Sequence, residues 1–520
     1  MYGRGETYPV ELPTFAEIED SLHIYFEITA TQYPAFHSPS TISRIHEILE
    51  YLSYPASGPK VDVDQVAAPT VALLCIMIAM SKMTGNNTSP SNINHSINLK
   101  NHARNILQTF EFRPSDLEVL RCHTLLTVYL LHMDFLDLAL QSIAITVQIA
   151  MTLQLHQKTQ SLRNEADSYD HNLWWTIYIL DRSISCLSGT PYLIRDEEID
   201  APRLGPDGNS QRFSLVTYLN HPNQLDRHNE LEERSFHRDT TYLEVLAYLG
   251  RFWARIWNDL LSDNSQPDCQ WQATEILDAQ IRIFQQRLPP ELTWKGSSSV
   301  GRDLEKEEEI IMQRQLVVLM RVNTLRLFIR RNPASKCTCL DQKSPHIDGA
   351  TISAQTINAI VSLGALHEDL MPIGHSITIT LVQCILYLVN VIGESTITSG
   401  TDIASSSVVS AYRILIDLSA HCLSARNAVE TLDAAFFRDN DGSTRPHAPP
   451  STIGTLPRSS GSSQQVERED SHTKRSGYTE KRNGASISTK QTPRPNDLFT
   501  CLQRSYETLD SMIPNTTPNP

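Results

Sequence analysis

Apolar residues recur along this chain at three- and four-residue steps, the spacing that lines one face of an α-helix. The first such run opens at Thr14, where Thr14 and Glu17 form a capping-box pattern ahead of Phe15, Ile18, Leu22, Tyr25 and Phe26, and Pro34 ends it. Ser115 and Glu118 repeat the device before Leu117, Leu120, Leu125, Val128 and Leu131. A break near Asp134 and a resumption over 135–155 read as two antiparallel helices joined by a tight turn. Helical spacing returns over 69–83, 93–110, 169–187, 240–261, 271–288, 305–331, 351–370, 377–392 and 405–437. Alternating strand patterns bounded by turn residues are nearly absent, so the expected fold class is all-α.

Where the period fails, the chain divides. Residues 194–238 carry Pro202, Gly205, Pro206, Gly208 and Pro222 without periodicity and are expected to form a long loop. That loop joins an N-terminal helical half, 11–193, to a C-terminal half, 239–440, which contains a further connection at 332–350. Residues 441–497 turn to Ser, Thr, Pro, Gly and charge and are expected to be a disordered basic linker. Leu498, Leu502, Tyr506, Leu509 and Met512 then mark one face of a terminal helix at 498–513.

Charge sharpens this plan. The 520 residues hold 44 Lys and Arg against 59 Asp and Glu, a formal charge of −15, which excludes a uniformly basic polyanion-binding surface. Between Arg445 and Arg494 the balance reverses, with nine Lys and Arg against four acids, leaving about −20 on the rest. Lys474, Arg475, Lys481 and Arg482 make a candidate nuclear-import patch, against the plainer reading of a solvated linker. Nine cysteines scattered singly suit a reducing interior rather than a disulfide framework. The opening residues lack a signal peptide's apolar core, and the longest apolar run, 71–80, is half a membrane span, so no membrane partner is expected.

Constellations for catalysis are missing. His367 and Glu368 begin an H-E-x-x-H pattern, but Met371 stands where the second His belongs, and Cys337 with Cys339 has no second ligand pair nearby. Asp134 and Asp137 lack the aspartate-rich surroundings that hold magnesium, and His132 and His156, lone among apolar residues, read as structural. No phosphate loop, nucleophile elbow or dinucleotide fingerprint occurs, so an enzyme is not expected and no cofactor is assigned. The most informative stretch is 169–191, where Leu173, Trp174, Trp175, Ile177, Tyr178, Ile179, Leu180 and Ile184 make a helix apolar on nearly every face. Gly189 and Pro191 stop it. Asp181 and Arg182 lie inside it, and as sequence neighbours they point about 100° apart, so each is expected to need another partner. The Gly189–Pro191 turn and the acidic run Asp196, Glu197, Glu198 and Asp200 are the nearest candidates.

The stretch ALQSIAITVQIAMTLQLH (139–156), followed by DHNLWWTIYILDRSISCLSGTPYLIRDEEIDAPRLGP (170–206), resembles the fungal-specific transcription factor domain, the middle homology region of zinc binuclear cluster regulators. The matching positions include Trp174, Trp175, Tyr178, Asp181, Arg182, Ser185, Gly189, Pro191 and Asp200, with LPTFAEIEDSLHIYFEITATQYPAFH similar to the family's opening. Gln154 stands where Gly is usual, His171 and Asn172 where Arg is usual, and Thr190 in place of the Gly-Arg-Pro arginine.

The resemblance implies a nuclear regulator of transcription acting through a helical regulatory domain, typically on a metabolic or secondary-metabolite gene cluster. It also implies coactivator contacts, a homodimer or heterodimer, and a small-molecule effector. DNA binding and zinc belong to the family's six-cysteine cluster, which would lie upstream of residue 11. No residue of this chain is therefore expected to bind DNA or metal, and promoter DNA would be reached through that cluster or a partner. The alternative is an accessory or truncated member that modulates a full-length regulator without binding DNA.

Overall fold

The Glu17 N–H donates to the Thr14 hydroxyl at 3.4 Å and the Thr14 N–H to the Glu17 carboxylate at 3.0 Å, so the capping box starts α1 (Phe15–Ile24) in the computed structural model. The structure describes residues 7–54, 60–84, 90–110, 116–157, 165–199, 227–261, 270–296, 306–331, 345–364, 371–394 and 398–437. Among them α1 is followed by α2 (Ser38–Tyr51), α3 (Ala68–Thr84), α4 (Pro90–Gln108), α5 (Leu117–His132), α6 (Leu136–Thr152) and α7 (Glu165–Ser188). Next come α8 (Arg227–Ile256), α9 (Gln270–Gln286), α10 (Lys306–Arg331), α11 (Pro345–Gly364), α12 (Gly374–Glu394), α13 (Thr398–Ser419) and α14 (Leu423–Phe437). Among the described residues the fold is all-α apart from one antiparallel ribbon, in which β1 (Tyr8–Glu11) pairs with β2 (Lys60–Val63) and Tyr8 faces Val63.

Several boundaries differ from the sequence expectation. Helix α2 was not anticipated: its apolar face is thin, with Ile45 and Leu49 buried among polar neighbours. Asp116, not Ser115, caps α5 by accepting from the Glu118 N–H, and the Glu118 side chain instead pairs with Arg44 at 2.7 Å and with Arg121. Helix α8 begins at Arg227, inside the expected loop, because 227–238 is rich in the helix formers Glu, Arg and Leu although it lacks apolar period. The run 405–437 is two helices, closed at the junction by His421 and Cys422 N–H groups that both donate to Leu418. Asp200, Cys337, Cys339, His367 and Glu368, the patch at Lys474, Arg475, Lys481 and Arg482, the linker 441–497 and the helix 498–513 all lie outside the described residues.

Packing follows the apolar faces. Every residue from Val71 to Met80 is buried, so the longest apolar run is a helix covered on all sides, with α1, α4 and α5 against it. Helix α5 leads to α6, α6 to α7, α7 to α8, and α8 to α10, while α10, α11, α12 and α13 pack on one another. Residues 374–393 within α12 are long and apolar enough to span a membrane, with a mean hydropathy of 1.9. Here they pack against α10, α11 and α13, with Ile377, Leu381, Ile385 and Leu388 buried. The chain forms one compact unit through Leu432, and beyond it residues 433–437 are described.

Asp278, fully buried on α9, bonds Arg326 at 2.7 Å and Arg330 at 2.9 Å on α10, with Arg282 at 3.3 Å. Burial by itself would raise its pKa, but the hydrogen bond and charge of Arg326, then Arg330 and Arg282, hold the carboxyl below the usual aspartate range. A depressed pKa stabilises the fold fully above about pH 4, and the contribution disappears as pH falls through the folded value. Asp278→Asn should cost about 3–5 kcal/mol at pH 7, because the arginines are left unpaired, and should flatten the acid limb of a urea-unfolding series against pH.

Gln154, at the end of α6 where the family pattern carries Gly, adopts φ +58°. A side chain in this left-handed region costs about 1–2 kcal/mol. Gln154→Gly should therefore raise the unfolding free energy by about 0.5–1 kcal/mol, read as a higher urea midpoint at unchanged slope.

Candidate functional site

Helix α7 is buried around its circumference, with Trp174, Trp175, Ile177, Tyr178 and Leu180 each no more than 1% exposed. Its two charges, Asp181 and Arg182, are 2% exposed and pair directly, Arg182 Nη1 donating to Asp181 Oδ2 at 2.7 Å. Although sequence neighbours on a helix point about 100° apart, the long arginine side chain reaches the carboxylate. Each charge also finds a further partner, as burial demands.

Those partners come from the segment after Gly189, whose φ of +65° ends the helix and turns the chain back along it. Asp181 accepts from the Leu193 N–H at 2.9 Å and the Ile194 N–H at 3.1 Å. Arg182 Nη2 donates to the Ile194 carbonyl at 2.7 Å and to Asp196 Oδ1 at 2.9 Å, and the Tyr178 hydroxyl donates to the same Asp196 oxygen at 2.7 Å. The guanidinium lies between aromatic faces, 4.4 Å from the Tyr178 ring centre and 3.9 Å from that of Tyr192. Burial pushes the Asp181 carboxyl upward, opposed by Arg182 and the two backbone donors. Burial also raises the Tyr178 phenol, which stays a donor.

The other candidate positions serve the same turn or the helix behind it. Ser185 Oγ donates to the Thr190 carbonyl at 2.5 Å and accepts from the Trp253 indole at 3.1 Å, tying α7 to its turn and to α8. Thr190, in place of the family's arginine, meets the Ser188 hydroxyl at 2.7 Å. Trp175 donates to His171 at 2.9 Å, while the Trp174 indole N–H is buried without a hydrogen-bond partner and stands beside the His156 ring. Pro191 follows in the exposed part of the turn.

Residues 22–282 match the family described as Fungal specific transcription factor domain. The chain belongs to this family. No curated protein matches the chain. The family's Trp-Trp to Asp-Arg stretch is thus, in this member, a buried helix whose ion pair clasps the segment that follows it. The family match also spans α8, which packs against α7.

Residues without a motif complete the region. Gly250 lets α8 approach α7: a Cβ there would lie 3.0 Å from Arg182 Cγ and 3.1 Å from Tyr178 Cε1. A lone glycine within a strongly apolar helical run was the available sign. Behind the pair, α7, α8, α10 and α12 line a half-open cavity of about 100 Å³, walled by apolar side chains such as Leu246, Leu249 and Trp253 and carrying Arg182, Arg321 and His375. Among the described residues no group of three or more His, Cys, Asp or Glu could hold a metal ion.

Asp181→Ala should destabilise the protein by about 3–5 kcal/mol and speed amide exchange at Leu193 and Ile194. Asp181→Asn should cost less, since its amide oxygen still accepts from Leu193. Urea unfolding with hydrogen exchange reads both.

Proposed function

We propose that this family member acts in the nucleus as a transcription regulator of a metabolic or secondary-metabolite gene cluster. Its helical body is the regulatory part, which couples a small-molecule effector to contacts with coactivators and with a second regulator chain. Promoter DNA is reached through a zinc cluster or through that partner, and the body itself performs no catalysis. Family membership over residues 22–282 carries this reading. The cavity among α7, α8, α10 and α12 supports the effector role.

The test is to fuse the full chain to an unrelated DNA-binding module and follow a reporter bearing that module's sites. A change of threefold or more in either direction, with the unfused chain concentrated in the nucleus, is expected; an unchanged reporter and cytosolic chain would refute the reading. Replacing Lys474, Arg475, Lys481 and Arg482 together by Ala should abolish nuclear accumulation. An accessory role, modulating a full-length regulator without binding DNA, would instead give a promoter-DNA shift only when such a regulator is added.

A further inference from the structure

The cavity behind the ion pair has an electrostatic imbalance. Arg182 in its wall is neutralised by Asp181 and Asp196, but Arg321 is not: its Nη1 donates to Ser183 Oγ at 2.8 Å, it also hydrogen-bonds the Tyr33 hydroxyl, and it forms no ion pair among the described residues. No Asp or Glu is among the described residues that line the cavity. Next to this cation stands His375, both of whose ring nitrogens are buried without a hydrogen-bond partner. Burial, then the neighbouring His132 and Arg321, hold its pKa well below the usual histidine value, so the ring is neutral and keeps one N–H to give. His375 and Ser376 also lie in the first turn of α12, where the helix dipole favours negative charge.

A half-buried guanidinium without a carboxylate partner and an imidazole whose two ring nitrogens are unpartnered line the same largely apolar, half-open pocket, and one bound anion would satisfy both. We propose that this cavity binds a small monocarboxylate, its carboxylate on Arg321 and His375 and its hydrocarbon body against Trp253, Leu246 and Leu249. One charge suits the site, because a second would lie unpaired against apolar walls. The volume, about 100 Å³, compares with roughly 150 Å³ for an apolar cavity that holds benzene, so the buried body is about four to six carbons.

The ligand's purpose as an effector rests on the regulatory reading above, but its binding does not, and the experiment measures binding alone. Purified full-length chain is titrated with isovalerate and benzoate and with their neutral amides, by calorimetry and by the fluorescence change of Trp253, which a Trp253→Phe variant identifies. The acids should bind saturably and the amides at least about tenfold more weakly. Arg321→Gln should lose the acids' advantage by a similar factor while unfolding at the same or a higher temperature, since it removes an unpaired cation; Arg321→Lys should retain part of the binding. Equal affinity for acid and amide, no saturable binding, or Arg321→Gln binding within twofold of the unaltered chain would each overturn the proposal, with the reporter assay untouched.

Discussion

Two opposite charges inside a helix that is apolar on every face set the terms for the centre of this protein. Neither Asp181 nor Arg182 can reach water, and each has more hydrogen-bonding capacity than the other can absorb. Most of the surplus is met by the Leu193 and Ile194 N–H groups, the Ile194 carbonyl, the Asp196 carboxylate and two aromatic faces, while the Arg182 Nε–H is buried without a hydrogen-bond partner. The course of the chain after Gly189 is therefore dictated by the ionic needs of the helix before it. The close approach of α8 depends on the same guanidinium, because the space that a side chain at position 250 would take is filled by the stem of Arg182.

Arg182 belongs both to the clasp and to the cavity wall: the same side chain holds Ile194 and Asp196 and lines the cavity. Helices α8, α10 and α12, which form the other walls, bring together parts of the chain well over a hundred residues apart.

Much of this was legible in the residues. Helical period located most helices, the Thr14–Glu17 box placed a start, and Gly189 placed a stop, because local backbone geometry dictates all three. The partners of the buried charges were legible as a neighbourhood, since Asp196 falls within the acidic run that follows the turn. What stayed hidden depended on distance in space. Arg321 lies in an apolar helical stretch like several other arginines, and only the fold reveals that Arg314, Arg326 and Arg330 have carboxylates while Arg321 has none among the described residues. Helix α2 and the first turns of α8 escaped because neither sequence carries a broad apolar stripe.

The clasp is also local along the chain. Its bonds join residues 12 to 14 apart, whereas Arg314 reaches the Thr31 carbonyl across 283 and Tyr242 reaches Gln32 across 210. Closing the longer of these loops costs about 2.7 kcal/mol more chain entropy than closing the clasp. The centre can thus be assembled from a single short stretch of chain before the far ends have met, giving distant helices a finished surface on which to dock.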